Sequence, residues 1–427
     1  MSRPLFKTSL VALGALLIVG VAAGVNAAES SDLAPNEQLG KSIFFDVNLS
    51  IYQNQSCASC HAPEVGWTGP LAEINSRGAV YEGSIAGRFG DRKPPSSAYA
   101  TVSPIFHMDK GLFVGGNFWD GRATGEKLGN PAADQAQGPF LNPKEQGLPD
   151  SACVVWRVCE PVVPGEYPVS FVDVWGADAC NITWPADVAT TCASEGSTVA
   201  LSPEDRANVS TAYDNIALSI AAYEASAESN AFSSKLDATF SGDGKLSKEE
   251  QHGKALFRGK GKCDRCHTAN GKRALFTDFT FDNLGVPKNP ENPFYLEDPS
   301  FVDPGLGGFL KNRGYDEDVY EAEWGKMKVP TMRNVDLRPS DDFVKAYSHN
   351  GYFKTLEGIV HFYNTRDVKD TCPGDYTEAE ALAADCWPAP EVADNVNTDE
   401  LGDLGLTPEE EAAIVAFLTT LSDGYMP

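Results

Sequence analysis

Apolar residues are distributed along this chain in two distinct ways. Near the start they form an unbroken run from about Leu10 to Ala23, preceded by Arg3 and Lys7 and followed by the small-residue stretch Val25-Asn26-Ala27. A basic start, a short apolar run and a small-residue cleavage site read as a secretory signal over residues 1–27, and the run is short of a bilayer span. Further on they fall into helical spacing. Gly40-Lys41-Ser42-Ile43-Phe44 and Gly253-Lys254-Ala255-Leu256-Phe257 each predict a short amphipathic helix. The runs 216–223 and 414–421 predict longer helices, opened by Leu201-Ser202-Pro203-Glu204-Asp205 and Leu406-Thr407-Pro408-Glu409-Glu410. Ser202 and Thr407 are good N-caps, each followed by proline at the first helical position and by acids in the first turn. Between these elements regular strands are scarce, and residues 282–318 are rich in Gly, Pro and Asn without helical periodicity.

A short helix, then loops, then a capped closing helix occurs twice. The expected protein is mainly α and loop-rich, in two domains of one plan. The boundaries are residues 28–228, with a Cys-rich insertion at about 150–200, a linker at 229–246, and residues 247–427. Within the linker, residues 237–244 hint at a calcium loop. The twelfth position is Lys248, where such a loop needs a bidentate acid, so a polar turn is the better reading.

Charge narrows the partners. The formal net charge is −26, and removal of Arg3 and Lys7 with the signal makes it more negative. Nucleic acid is excluded as a partner, whereas a basic docking protein such as a small cytochrome is electrostatically suited. Nothing after the first apolar run is long and apolar enough for a membrane span in the mature protein.

The chemistry lies in two pentapeptides, Cys57-Ala58-Ser59-Cys60-His61 and Cys263-Asp264-Arg265-Cys266-His267. Cys-x-x-Cys-His is the attachment signal for c-type haem. Two cysteines three residues apart on a helical turn share a face, so both sulfurs reach one porphyrin edge, and the adjacent histidine ligates the iron. A zinc site would need a second ligand pair close by. Two covalently bound haem c groups are therefore expected, and they would supply apolar core to the loop-rich segments. The remaining six cysteines suit disulfides in an oxidising compartment, the periplasm. Closeness in sequence favours the pairs 153–159, 180–192 and 372–386.

The other histidines are His107, His252, His349 and His361, and the internal methionines are Met108, Met327 and Met332. That supply is too thin to saturate both irons easily, which is compatible with one open coordination site. A non-catalytic electron carrier or redox sensor would want both positions filled.

Phe118-Trp119-Asp120-Gly121-Arg122-Ala123, Asp134-Gln135-Ala136-Gln137-Gly138-Pro139 and Asn142-Pro143-Lys144-Glu145 resemble the bacterial dihaem cytochrome c peroxidase and MauG family. So do Lys328-Val329-Pro330-Thr331-Met332-Arg333-Asn334 and Ser348-His349-Asn350-Gly351. The likeness spans nearly the whole mature chain. The block around Cys180 and Cys192 and the tail near Cys372 and Cys386 look like additions to it. The resemblance implies an oxidoreductase in which the His61 haem meets hydrogen peroxide. Glu145 would be the distal acid/base, Gln135 a distal amide, and Trp119 the tryptophan between the haems. It implies that the His267 haem transfers electrons, with its sixth ligand at Tyr363, where peroxidases carry methionine and the MauG branch carries tyrosine; Met327 is the alternative. A removable distal histidine soon after the first motif is missing, leaving His107 or Met108 as substitutes if that site is closed. The family's inter-haem calcium uses an asparagine after an arginine. Here Arg92 is followed by Lys93, which argues against calcium. Two activities fit: oxidation of a protein partner, or reduction of peroxide with electrons from a small cytochrome or cupredoxin.

Overall fold

The computed structural model describes residues 33–426, so the expected secretory signal lies outside the described residues. The helix Pro35–Phe45 buries Leu39, Ile43 and Phe44 on one stripe and lies along the 23-residue helix Pro203–Ala225. A Cβ on Gly40 would collide with the Ser219 carbonyl, so the two backbones touch where only glycine fits. The arrangement recurs. Helix Lys248–Arg258 lies along helix Pro408–Thr419, and a Cβ on Gly253 would strike the Ala413 carbonyl. Both long helices start as their sequences dictate: the Ser202 side chain accepts the Asp205 N–H, and the Thr407 side chain accepts the Glu410 N–H.

The apolar core gathers in two large clusters. One is built on Leu39, Phe44, Trp67, Phe140, Ile216 and Ile220, the other on Leu256, Phe257, Phe276, Phe353, Ile414 and Phe417. Sheet is confined to two-stranded ladders among the described residues. The antiparallel pair Phe281–Asp282 with Met327–Lys328 matters most, because it fixes Met327 and Lys328 beside the site described below. Among the described residues no helix is long and apolar enough to cross a membrane.

Three local expectations need correction. Residues 282–318 contain the helices Pro293–Glu297 and Gly305–Asn312. Glycine at 307 and 308 masked the second helix, yet Leu306 and Leu310 are fully buried at helical spacing, and Gly307 admits Trp324 and the Tyr320 carbonyl at close range. Residues 237–244 are not simply a polar turn. Asp237 sits in helix Lys235–Ser241, caps it with Ser234, and pairs with the buried Arg333 at 2.9 Å and 3.0 Å.

The disulfides are Cys153–Cys192, Cys159–Cys180 and Cys372–Cys386, so only the last matches the pairing favoured by closeness. Cys153 and Cys159 share the helix Ser151–Cys159. Six residues along a helix separate Cα atoms by about 9 Å, beyond the ~7 Å reach of a disulfide. The chain instead doubles back and nests one bridge inside the other, fastening the insertion. Replacing Cys153 and Cys192 together by alanine should lower the unfolding free energy by roughly 3–4 kcal/mol. The measurement is the midpoint of chemical denaturation; an unchanged midpoint would mean that the insertion unfolds separately.

Candidate functional site

Each Cys-x-x-Cys-His segment forms one tight turn, the first after a loop that follows helix Pro35–Phe45 and the second close behind helix Lys248–Arg258. In the first, the N–H groups of Cys60 and His61 both donate to the Cys57 carbonyl, at 3.1 Å and 3.0 Å. In the second, the His267 N–H donates to the Cys263 carbonyl at 2.8 Å. The four cysteines of these turns are free thiols, whereas the other six are paired. Burial pushes the Cys60 and Cys263 thiols up to about 12, and the Cys57 and Cys266 thiols upward as well, so all four are neutral.

The histidines are oriented alike. His61 Nδ1 faces the Trp67 carbonyl at 3.2 Å, and His267 Nδ1 faces the Phe276 carbonyl at 2.9 Å. A backbone acceptor on Nδ1 fixes the tautomer and leaves Nε2 as the ligating atom. Burial lowers the His61 imidazole to about 4 and His267 in the same direction, which keeps both rings in the neutral form that binds metal.

Two cavities open in front of these turns. The first holds Cys57 and His61; the second, the larger of the two, holds Cys263, Cys266 and His267. Their largely apolar linings with a few polar side chains suit a large apolar cofactor. Orphaned polar atoms support the same fit. The buried Ser97 Oγ on the first wall, and Tyr347 Oη and His349 Nε2 on the second, have no hydrogen-bond partner. The unpaired cysteines of each turn, an imidazole held at Nδ1 by a backbone carbonyl, and unsatisfied polar groups around an apolar space match a covalently attached haem in each cavity.

Trp119 lines both cavities, with Lys328, Val329, Pro330 and Thr331, so these residues form the partition. The Trp119 Nε1–H donates to the Lys93 carbonyl at 2.8 Å, and its ring lies 6.4 Å from that of His349. Gln135 lines the first cavity from helix Pro131–Leu141. Pro139, one turn on and on the same wall, has no N–H to offer the Gln135 carbonyl. Glu145 follows this helix, half-buried, just outside the residues that form the wall. Burial raises its carboxyl, opposed in part by Arg122 and Asn142, and its charge acts on Cys57 and Cys60.

In the second cavity the structure brings together His267, Tyr363 and Met327. Tyr363 projects from helix Leu356–Thr365, and burial raises its phenol above the usual range. His361 is engaged elsewhere, with Nδ1 against the Glu411 carboxylate at 3.0 Å. The proposed substitutes for a distal ligand at His61 fail. His107 and Met108 are exposed on the hairpin His107–Asp109/Leu112–Val114 and do not line the first cavity. Lys93, where a calcium-binding asparagine would stand, is a buried ammonium donating to Thr68 Oγ1 at 2.9 Å and the Pro94 carbonyl at 3.0 Å; burial lowers it to about 7.

Sequence reasoning missed three residues on the first wall. Lys328 donates to Ser103 Oγ at 2.6 Å, to the Gly116 carbonyl and to Asn117 Oδ1. Glu224 is 3% exposed and is raised to about 8 by burial. Its signal was available: Ile216, Ile220 and Glu224 are spaced four apart, a carboxylate on an apolar stripe. Tyr99 is the third.

The sequence pattern of the di-haem cytochrome c peroxidase family matches residues 34–245. The methylamine utilization protein MauG of Paracoccus denitrificans (strain Pd 1222) is 32% identical over 397 residues, which cover 90% of this chain and 88% of that protein. The cytochrome-c peroxidase IdrP1 of Denitromonas iodatirespirans is 28% identical over 410 residues, 92% and 83% of the two chains. Among solved structures, the diheme peroxidase BthA of Burkholderia thailandensis E264 superposes with a TM-score of 0.67 at 27% identity, covering 92% of this chain and 90% of its own.

Changing Cys57 and Cys60 together to serine should leave a protein carrying one covalent haem instead of two. Intact-mass spectrometry of the denatured protein reads this directly, and two retained haems would remove the first cavity as an attachment site.

Proposed function

We propose, from the premise that this chain belongs to the di-haem cytochrome c peroxidase and MauG family, that it is a periplasmic enzyme using hydrogen peroxide to oxidise a protein partner. Membership makes it a di-haem oxidoreductase with two covalently bound haem c groups. In this reading His61 serves a domain over residues 28–228 and His267 a second over 247–427, joined by residues 229–246. His61 would hold the first iron through Nε2, and His267 Nε2 with Tyr363 Oη the second.

When bound, the haems supply iron that takes up hydrogen peroxide and stores its oxidising equivalents. The chain's residues manage protons and electrons around that chemistry. Glu145 takes the proton from one peroxide oxygen and delivers it to the other, so that water departs; a carboxyl raised by burial is tuned for both halves of this transfer. Gln135 orients the peroxide through its side-chain amide. Trp119, fixed by its bond to the Lys93 carbonyl, is the electron route across the partition. The partner gives up two electrons, and with two protons the peroxide becomes two waters.

One observation carries the peroxide reading. Among the described residues lining the first cavity there is no second histidine and no methionine, so no further imidazole or thioether there competes with peroxide. It weighs against a pure electron carrier. The choice of a protein substrate rests on Tyr363, a hard oxygen donor that favours the oxidised iron states, in the second cavity. Met327 in the same cavity favours a second reading: a cytochrome c peroxidase fed by a small cytochrome or cupredoxin. The acidic surface would attract a basic partner in either case.

Glu145→Gln should slow peroxide consumption by about 10²–10⁴-fold without loss of either haem, measured by stopped flow; an unchanged rate would remove Glu145 as the acid/base. Tyr363→Phe should change the absorption and EPR spectra of the second haem. Unaltered spectra would transfer the ligand role to Met327. Peroxide added to the fully oxidised protein without a donor separates the two activities. A long-lived oxidised state supports oxidation of a protein partner. Rapid turnover with reduced cytochrome c, seen only after prior reduction, supports the peroxidase.

A further inference from the structure

We propose that Tyr99 and Asp423 form a proton-coupled redox pair that stores one oxidising equivalent from the His61 cavity, with the radical on the Tyr99 ring and its proton on Asp423. The inference rests on the peroxide reading above, which supplies the oxidant. Tyr99 lines the same cavity as His61, Trp119 and Gln135, and its side chain is 2% exposed. Its Oη–H donates to Asp423 Oδ2 at 2.6 Å, and the same oxygen accepts the Phe232 N–H at 3.0 Å.

The acceptor is held as firmly as the donor. Asp423 accepts the Ser233 N–H at 2.8 Å and the Asn334 Nδ2–H at 3.0 Å, and its own N–H donates to Asn334 Oδ1 at 2.8 Å. Tyr99 stands in the left-handed backbone region at φ 60°, and its N–H is bound by Asn230 Oδ1 at 2.6 Å. A bulky residue pays conformational energy there, and such strain persists where the surroundings over-determine it.

Removing an electron from a phenol makes it a strong acid. In a buried site the charged product is costly unless the proton leaves at once. Asp423 permits that. The Tyr99 Oη–H bond breaks, an O–H bond forms at Asp423 Oδ2, and one electron passes from the ring into the cavity's haem group. A neutral phenoxyl and a neutral carboxylic acid remain. The electron is one of the two that reduce hydrogen peroxide to water. The Arg333 guanidinium, 5.3 Å from the Tyr99 ring, disfavours a charged radical and so favours the route that expels the proton. Its own charge is balanced by Asp237. In the resting state burial and the Asp423 charge raise the phenol above its usual range, so the proton stays on Tyr99 until an electron leaves. Trp119 lines both cavities, whereas Tyr99 lines the first alone and passes its proton to a carboxylate in the half-buried C-terminal segment.

The test mixes oxidised holoprotein with hydrogen peroxide, freezes it within milliseconds and records EPR, with peroxide loss followed in the same samples. A tyrosyl radical is expected, with hyperfine structure that collapses on ring deuteration of tyrosine and a signal abolished by Tyr99→Phe. Asp423→Asn retains an acceptor for the phenol but cannot take its proton, so radical formation should slow by about 100-fold. A protonated-carboxyl band should appear in the infrared difference spectrum of the wild type and be absent from the Asn variant. If the pair only tethers the C-terminal segment, both variants lose stability while an unchanged radical persists, and the inference fails. It also fails if peroxide is consumed and no tyrosyl signal forms. If peroxide is not consumed, the peroxide reading falls instead; a flash-generated ruthenium(III) oxidant then decides, and no Tyr99-dependent radical overturns the pair on its own terms.

Discussion

The structure depends on two places where helix backbones touch. Gly40 against the Ser219 carbonyl and Gly253 against the Ala413 carbonyl clamp the helix before each attachment turn onto the closing helix of its half. A thioether turn is useful only if its sulfurs and imidazole meet one porphyrin edge together. The turn is short and weakly constrained by itself. Its position is inherited from the helix that feeds it, and that helix is fixed by the glycine contact. A side chain at either glycine would push the helices apart and swing the histidine off the cavity axis. The repeated Gly-Lys-x-x-Phe sequence is therefore a packing device placed where the chemistry requires it.

Long irregular loops create the opposite problem, since each buried N–H and C=O needs a partner. Buried amides serve as hubs. The Asn289 Nδ2 group reaches the carbonyls of Arg77, Gly78, Asn350 and Gly351. Asn283 and Arg333 do similar work, and Lys93, Lys328 and Lys345 each donate to at least one backbone carbonyl, Lys93 and Lys328 also to side-chain oxygens. In a chain of net charge −26 these buried lysines stand out. They stitch the partition and the loops behind it, and burial lowers all three lysines. Their hydrogen bonds, more than their charge, hold the two cavities side by side.

How far the sequence could be read follows from how local each feature is. The caps at Ser202 and Thr407 and the attachment turns depend on residues within a few positions, and they were legible. The disulfide partners were not, because pairing depends on where the helix Ser151–Cys159 points and how the insertion folds back over it. The helix Gly305–Asn312 was hidden because its glycines, poor helix formers in isolation, serve close packing. On the first wall, Gln135 and Trp119 were accessible through family resemblance, and Glu224 through a break in apolar periodicity. The contact of Tyr99 with Asp423 joins residues 324 apart in sequence, and no pattern along the chain announces it.

The two cavities share a proximal half and differ on the far side, where the functional difference arises. The first cavity is lined by helix Pro131–Leu141, which offers the Gln135 amide, Ala136 and Pro139, with Glu145 following the helix. The second cavity is walled by helix Leu356–Thr365, which offers Leu356, Ile359, Val360 and a phenol. The first helix turns an amide to its cavity, with a carboxyl beyond it; the second turns a phenol to its cavity and little else polar. The two attachment turns are built alike, and the helix face that lines each cavity is what differs between them. The partition of Trp119 and Lys328 makes that division productive, because each cavity lies within one side chain of the other.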